Sequence, residues 1–502
     1  MNTGSNKIVN YFWGFIAINL FIRFFVITFP SVLITWTGFI LFFISFLNLL
    51  ISSCKFSFSR DNLVLGLPYV TFSLAGLWFF LLLMPLGLFG FTGILKTSFG
   101  LNGTEFTFLT INRIKILIIL AVIYILILLC SLRFRSIFQI LIERPNLSLS
   151  TLFSEAKKQT SFKDSLDNFF RLIAMLVTTW IYIGLIAGIN YLFVNQILVI
   201  ISQVLIDIGV LAFQTLIVFD VVGINFAEIK PRRNLYPVLG LMLISAFFSG
   251  LTFTKYNFYD QPQTIIAHRG VVNNDGPANN MQSLNKTSSL HFPYSEMDVQ
   301  ETRDHHFIVQ HDDNIIISGK SYLVNDLTLK DVQRAKKVEL FNSYLRDAKR
   351  NGQKIIVELK VTNHSDPNMG TRFAKQFKSQ LISGQDMVHS VGYPYLRQVK
   401  KIIPQIKVGL VTMLNFSDLR GYQVDFYSIQ HITLNNFLIS QLKETGRPIY
   451  SWTDDNPLGM RRLILMGVNG QITDRADLLR GLNQNTPQNY SLLLLNSLMN
   501  YS

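Results

Sequence analysis

The chain has 502 residues, of which 49% are apolar and 13% aromatic, and its formal net charge is +14. That length suits two or three domains. Its two cysteines, Cys54 and Cys130, leave the C-terminal half with none, which excludes a disulfide framework there. Nucleic acid is not an expected partner, because no basic-aromatic strip or known binding module accompanies the positive charge.

The apolar residues are concentrated before Thr254. Seven runs are long enough to read as membrane helices: Asn10 to Phe29, Val32 to Ser52, Pro68 to Gly90, Ile116 to Ser131, Leu172 to Phe193, Gln196 to Val218 and Tyr236 to Thr252. Each approaches the ~20 residues that cross a bilayer core. The first lacks a small-residue cleavage site and leads straight into further spans, so it does not read as a cleaved signal. Basic residues gather at Lys55 to Arg60, at Arg133 to Arg171 and at Lys230 to Arg233, and alternate with the weakly charged connections at Pro30, Thr92 to Ile111 and Val194-Asn195. This alternation predicts an inside N-terminus and, with an odd number of spans, an outside C-terminal domain. Thr151 to Arg171 reads as an amphipathic helix at the inner surface. Gln203, Asp207 and Gln214 recur on one face of the sixth span, where an intramembrane acid is a functional candidate or an interhelical hydrogen-bonding group. The domains are thus expected at 1–253 (multi-span), 254–263 (linker), 264–484 (barrel) and 485–502 (polar tail).

From Thr264 onward, β-branched and aromatic runs alternate with helix-period segments, as in βα units around a parallel sheet. Nine runs read as strands: Thr264 to Ala267, Tyr294 to Val299, Phe307 to Gln310, Lys354 to Leu359, Met387 to Val391, Lys407 to Thr412, Phe426 to Ile429, Pro448 to Trp452 and Gly470 to Thr473. The connection Glu301 to His306 is too short for a parallel crossover, which needs about a dozen residues. The third run must therefore return antiparallel on the second, leaving eight strands for a (β/α)8 TIM barrel with a hairpin insertion after strand 2.

Active sites of such barrels lie at the C-terminal ends of the strands. There the sequence puts His268 and Arg269 after the first strand, Glu296 and Asp298 on the second, Glu358 and Lys360 at the end of the next, and His311 on the returning hairpin. Glu296, Asp298 and Glu358 are hard oxygen donors suited to Mg²⁺ or Ca²⁺. Arg269 and Lys360 suit a phosphate, and His268 and His311 suit acid and base roles near neutral pH. Trp452 is a candidate apolar wall. His389 ends a strand and could face the mouth, but is read first as a structural residue.

The motifs His268-Arg269-Gly270, Glu296-Met297-Asp298, His311-Asp312, Val357-Glu358-Leu359-Lys360 and Gly467 to Asp474 together resemble the glycerophosphodiester phosphodiesterase family. The membrane half is similar to the multi-span domain that precedes this barrel in some Gram-positive members. The resemblance implies a metal-dependent hydrolase in which the substrate's own glycerol hydroxyl attacks phosphorus. A cyclic phosphate forms, water opens it, and the products are glycerol 3-phosphate and an alcohol. It implies lipid-derived or teichoic-acid-type substrates, with a lipid bilayer and a cell-wall glycerophosphate polymer as partners. The chain departs from the family at Ala278, where a Glu is usual, and at Gln430, Asp454-Asp455, Asn469 and Gln471. Two alternatives follow: a catalytically weakened barrel that binds glycerophosphate polymers, or a barrel accessory to a membrane lipid transporter.

Overall fold

The computed structural model describes all residues except 1, 54–66, 145–146, 194, 225–235, 257–261, 485–488 and 502. The basic loops at Lys55 to Arg60 and Lys230 to Arg233 and residues 257–261 of the expected linker lie outside the described residues.

The first half is helical: α1 (Asn2–Thr28), α2 (Val32–Ser53), α3 (Leu67–Leu83), α4 (Thr92–Lys96), α5 (Gly103–Ile111), α6 (Arg113–Leu132), α7 (Ile137–Glu143), α8 (Leu149–Gln159), α9 (Phe162–Leu192), α10 (Gln196–Val221) and α11 (Tyr236–Tyr256). Five of the described apolar stretches, in α1, α2, α6–α7, α9 and α10, are long and apolar enough to cross a membrane; those at Val70–Leu86 and Tyr236–Leu251 are shorter.

The third expected span is cut short. Its helix stops at Leu83, because Pro85 cannot continue the hydrogen-bond ladder and Gly87, Phe89 and Gly90 turn left-handed. A broken helix is tolerated in an apolar interior only when its freed backbone groups find partners. Here Gln214 Oε1 accepts from the Phe89 N–H at 2.8 Å. The polar residues singled out on α10 are thus engaged inside the protein: Gln214 with this break, and Gln203 with Asp207 at 3.0 Å. The fifth span begins earlier than expected. Ser161 and Asp164 form a capping box that starts α9 at Phe162, so the end of the amphipathic segment runs into the span as one 31-residue helix.

The strands of the second half are β1 (Thr264–Ala267), β2 (Tyr294–Glu301), β3 (Phe307–Val309), β4 (Asn314–Ile317), β5 (Lys320–Leu323), β6 (Glu339–Leu340), β7 (Lys354–Leu359), β8 (Met387–Ser390), β9 (Lys407–Thr412), β10 (Phe426–Gln430), β11 (Ile449–Trp452) and β12 (Gly470–Thr473). Neighbouring strands pair in parallel from β2 through β7 to β12, and β1 pairs with both β12 and β2, which closes an eight-stranded barrel. β3 returns antiparallel on β2, with Val309 opposite Val299, so the short connection does make a hairpin. The separate β4–β5 hairpin and the short β6 are further elements of the same insertion.

The barrel interior is filled by Ile266, Ile356, Met387, Phe426, Tyr450 and Ile472, one from each of six strands. Gly409 faces Phe426 so closely that a Cβ there would lie 2.1 Å from the ring.

The barrel rests on the helical half through a defined sector. Asn363, after β7, bonds Asn112. After β8, Val391 O and Tyr393 N meet Thr107. After β9, Ser417 and Tyr422 meet Leu101, Asp418 meets Phe99 O, and Arg420 meets Pro30 O. In the helix that follows β10, Ser440 and Gln441 reach Ile27 O and Thr97 O. The C-terminal segment, which the sequence left without a role, is also buried. Its Tyr501 and Ser497 contact Arg23, Asp207 and Gln203 of α1 and α10.

Candidate active site

Side chains on a strand share a face every second residue. Two positions beyond the apolar floor stand His268, Glu358, His389, Ser428, Trp452 and Asp474. A dry layer is therefore followed at once by a polar one, at the C-terminal mouth. β2 contributes Glu296 and Asp298, and its register sets Asp298 beside Glu358 and Glu358 beside His389.

The turn after β1 is strained. Arg269 has φ +52° and Gly270 +75°, values that side-chain-bearing residues rarely adopt. Gly270 is required twice over, since a Cβ would lie 2.9 Å from Ser283 Oγ. The strain points the Arg269 N–H at Glu296 Oε2 (3.1 Å) and its guanidinium at Asp298 (3.3 Å). Asn279, also left-handed, clasps Asp298 from the other side: its Nδ2 donates to Oδ2 at 2.8 Å and its Oδ1 accepts from the Asp298 N–H at 3.1 Å. Lys360 Nζ lies 3.3 Å from Glu358 and 3.7 Å from Asp298.

These groups perturb one another. Burial and the neighbouring Glu296 and Glu358 push the Asp298 carboxyl above the usual range. Burial also opposes ionisation of Glu296, but His389, His268 and the Arg269 N–H hold it well below that range. His268 is mostly buried, which disfavours its charged form. Its Nδ1 lies 2.8 Å from Asp474, and Asp474 with Glu296 more than offsets the burial, so its pKa is raised. Lys360 is likewise held charged against burial by Glu358 and Asp298.

Glu296, Glu358 and His389 can place one donor atom each within 4.8 Å of one another. Crowded, buried carboxylates with a donor trio at that spacing fit a divalent cation. Asp298 lies outside the trio, with its oxygens engaged by Asn279, Arg269 and Lys360. Sequence reasoning gave Asn279 and Asp474 no role of their own and left His389 as the less favoured candidate for the mouth. His389 was nevertheless traceable, since it is two residues past a floor residue and opposite Glu358.

His311 is brought back as expected, half exposed, with Nδ1 2.9 Å from Asp312. It lines a cleft of about 540 Å³ with Arg269, Ala278, Asn279, Lys336 and Lys337. The Ala278 departure therefore lies on the cleft wall. Trp452 caps the apolar floor, its Nε1 donating to Ser428 O at 3.1 Å.

Residues 268–478 match the model of the glycerophosphoryl diester phosphodiesterase family. YhdW of Bacillus subtilis, which carries the glycerophosphodiester phosphodiesterase name, is 26% identical over 231 residues, covering 42% of this chain and 95% of its own. Glycerophosphodiester phosphodiesterase of Caldanaerobacter subterraneus subsp. tengcongensis is 26% identical over 236 residues, covering 43% of this chain and 96% of its own. A solved glycerophosphodiester phosphodiesterase from Parabacteroides distasonis aligns at TM-score 0.38 and 22% identity, over 44% of this chain and 97% of that one. The likeness to the glycerophosphoryl diester phosphodiesterase family is thus carried by the C-terminal barrel, residues 268–478.

Proposed function

We propose that the barrel is a metal-dependent hydrolase of glycerophosphodiesters, releasing glycerol 3-phosphate and an alcohol at the outer face of a cell membrane. One observation carries this reading: His268, Arg269, Glu296, Asp298, Glu358, Lys360 and His311, scattered over the sequence, converge on one mouth. The family and the names of the relatives support the reaction class.

Glu296 and Glu358, with His389 as third donor and Asp298 beside them, would hold Mg²⁺ or Ca²⁺, whose chemistry is to polarise a phosphate oxygen. Arg269 grips the phosphate by its planar fork, and Lys360 offsets negative charge as it develops. His311, open to the cleft, takes the proton from the attacking glycerol hydroxyl. His268, kept protonated by Asp474, returns a proton to the departing alcohol oxygen. Trp452 forms the wall against the glycerol.

The outside placement is supported by the two ends of the helical half. The barrel touches Pro30 and the Thr97 to Asn112 stretch, the weakly basic connections. The basic Arg133 to Arg171 segment leads into the N-terminus of α9, whose other end meets Asn489 of the C-terminal segment. Free lipid-derived diesters and wall glycerophosphate polymers both suit a barrel on that face of the membrane.

Purified full-length protein with glycerophosphocholine or glycerophosphoglycerol should release glycerol 3-phosphate with Mg²⁺ or Ca²⁺ and stop when the metal is chelated. No metal-dependent release from any such diester would end the hydrolase reading. Ala278 on the cleft wall favours one second reading, a barrel that binds glycerophosphate polymers without cutting them; binding without release would establish it.

A further inference from the structure

The hydrogen bonds between the two halves are unevenly placed. The barrel residues that make them (Asn363, Tyr393, Ser417, Asp418, Ser440 and Gln441 among them) all follow the mouth ends of β7 to β10. Ser440 and Gln441, late in the helix after β10, and Arg420, which bonds both Pro30 O and Glu444, extend the contact down that side of the barrel. The part of the mouth rim after β7, β8 and β9 therefore lies against the helical half.

The exposed large apolar side chains of the barrel are biased the same way. Phe416 and Ile432 stand on the segments after β9 and β10, Leu458 in the first turn of the helix after β11, and Ile316 and Tyr322 on the hairpin that follows His311. Only Leu290, of the exposed large apolar residues described in the barrel, lies away from the mouth. Single exposed apolar residues are ordinary on a protein surface. A set confined to the rim that faces a membrane-type domain, and continuous with the contact to it, fits a lipid surface.

We infer that the barrel is held mouth-down so that it cleaves glycerophosphodiesters still anchored in the bilayer by their alcohol half: lipids with a free glycerol headgroup, of the phosphatidylglycerol type. This rests on the hydrolase reading above. The headgroup's 2-hydroxyl oxygen forms the new bond to phosphorus and gives its proton to one histidine. The bond from phosphorus to the diacylglycerol oxygen breaks, and the other histidine protonates that oxygen. Water then opens the cyclic phosphate to glycerol phosphate, and diacylglycerol stays in the membrane. A diacyl lipid with a choline headgroup has no hydroxyl beside its phosphorus and cannot react.

The test uses the full chain with its metal, reconstituted in phosphatidylcholine vesicles with or without phosphatidylglycerol, and measures soluble glycerol phosphate. Release is expected only with phosphatidylglycerol. Phe416→Asp and Ile432→Asp, which touch none of the reacting groups, should lower vesicle turnover about tenfold or more. Hydrolysis of water-soluble glycerophosphoglycerol by the same variants should stay within about twofold, which also checks their folding. Cleavage of the soluble diester without cleavage of the vesicle lipid overturns the inference. So do rim variants that slow both substrates equally or neither. No release from either substrate removes the hydrolase reading and this inference with it.

Discussion

Two clusters of buried charge lie in this molecule, one at the barrel mouth and one between α1, α10 and the C-terminal segment, and they are built on opposite principles. At the mouth, Glu296, Asp298 and Glu358 crowd together, and Asp298 is pushed up in pKa by burial and its like-charged neighbours. In the helical half, Arg23 faces Asp207 (3.9 Å), and Tyr501 bonds both. Gln203 adds a bond to Asp207, and the Arg23 guanidinium lies 4.6 Å from the Tyr501 ring centroid. Gly90 makes room for it, because a Cβ there would lie 3.0 Å from Arg23 Cζ. The second cluster is closed: every charge has its opposite. The first retains an excess of negative charge that calls for a cation and a substrate. Unrelieved charge marks chemistry, whereas cancelled charge marks a joint.

The largest expected effect falls at the mouth. His268→Ala should cut turnover of a soluble glycerophosphodiester about 10³-fold, the range for loss of an acid–base group, with the thermal midpoint little changed. Retained turnover would detach the open cluster from catalysis. Next comes the closed cluster. Arg23→Ala leaves Asp207 buried without its cation, which costs about 3 kcal/mol, read as a lower melting temperature of the full chain in detergent. Joint replacement by Arg23→Met and Asp207→Leu should cost less than the single change, because nothing charged is left unpaired. If the double variant proves the weaker, the cluster does more than join the halves. A smaller effect is expected for Asp474→Asn. Asp474 raises the His268 pKa, so its loss should slow turnover about tenfold. It should also move the alkaline limb of the pH profile downward, as the histidine gives up its proton at lower pH. An unshifted limb would mean that Asp474 only packs against His268.

Much of the barrel was legible because its strands are short β-branched runs whose side chains alternate with period 2, and because one connection was too short for a crossover. β1, β7, β9 and β12 have the bounds read from the sequence. The β4–β5 hairpin was not legible: Asn314–Ile317 is apolar but pairs only with its neighbour and is largely exposed. Of the mouth, the charged residues in motifs were visible. The parts played by Asn279, His389 and Asp474 were not, although the last closes a motif, since each acts through a partner distant in sequence: Asp298, Glu296 and His268. The α3 break was missed because apolar content hides backbone geometry; Pro85 and the flanking glycines Gly87 and Gly90 were the available signal. The C-terminal segment was missed for a related reason. Its apolar run is too short to span anything by itself, and its burial depends on a groove made by residues hundreds of positions earlier.

A buried acid in a third setting sharpens the contrast, since it has neither a crowd of carboxylates nor a close cation. Asp386 opens β8 at the barrel's far end. Its Oδ1 accepts from the Ile355 N–H at 2.9 Å, and its Oδ2 is buried without a partner. A Cβ at Gly384 would lie 2.2 Å from that oxygen, so the site is tight. Burial pushes this carboxyl up to about 7, with Lys349 and Lys354 only partly opposing. At low pH the group is protonated in both the folded and the unfolded chain and adds no pH dependence. Between its ordinary pKa near 3.8 and about 7, the folded chain keeps a proton that the unfolded chain has released. Stability must therefore fall as pH rises through that window. Asp386→Asn should flatten the slope and make the chain more stable above neutral pH by on the order of 1 kcal/mol, measured as melting temperature against pH, with turnover unaltered. An equal slope in the variant would place the pH sensitivity in the mouth carboxylates instead, and burial alone would no longer separate a structural acid from a functional one.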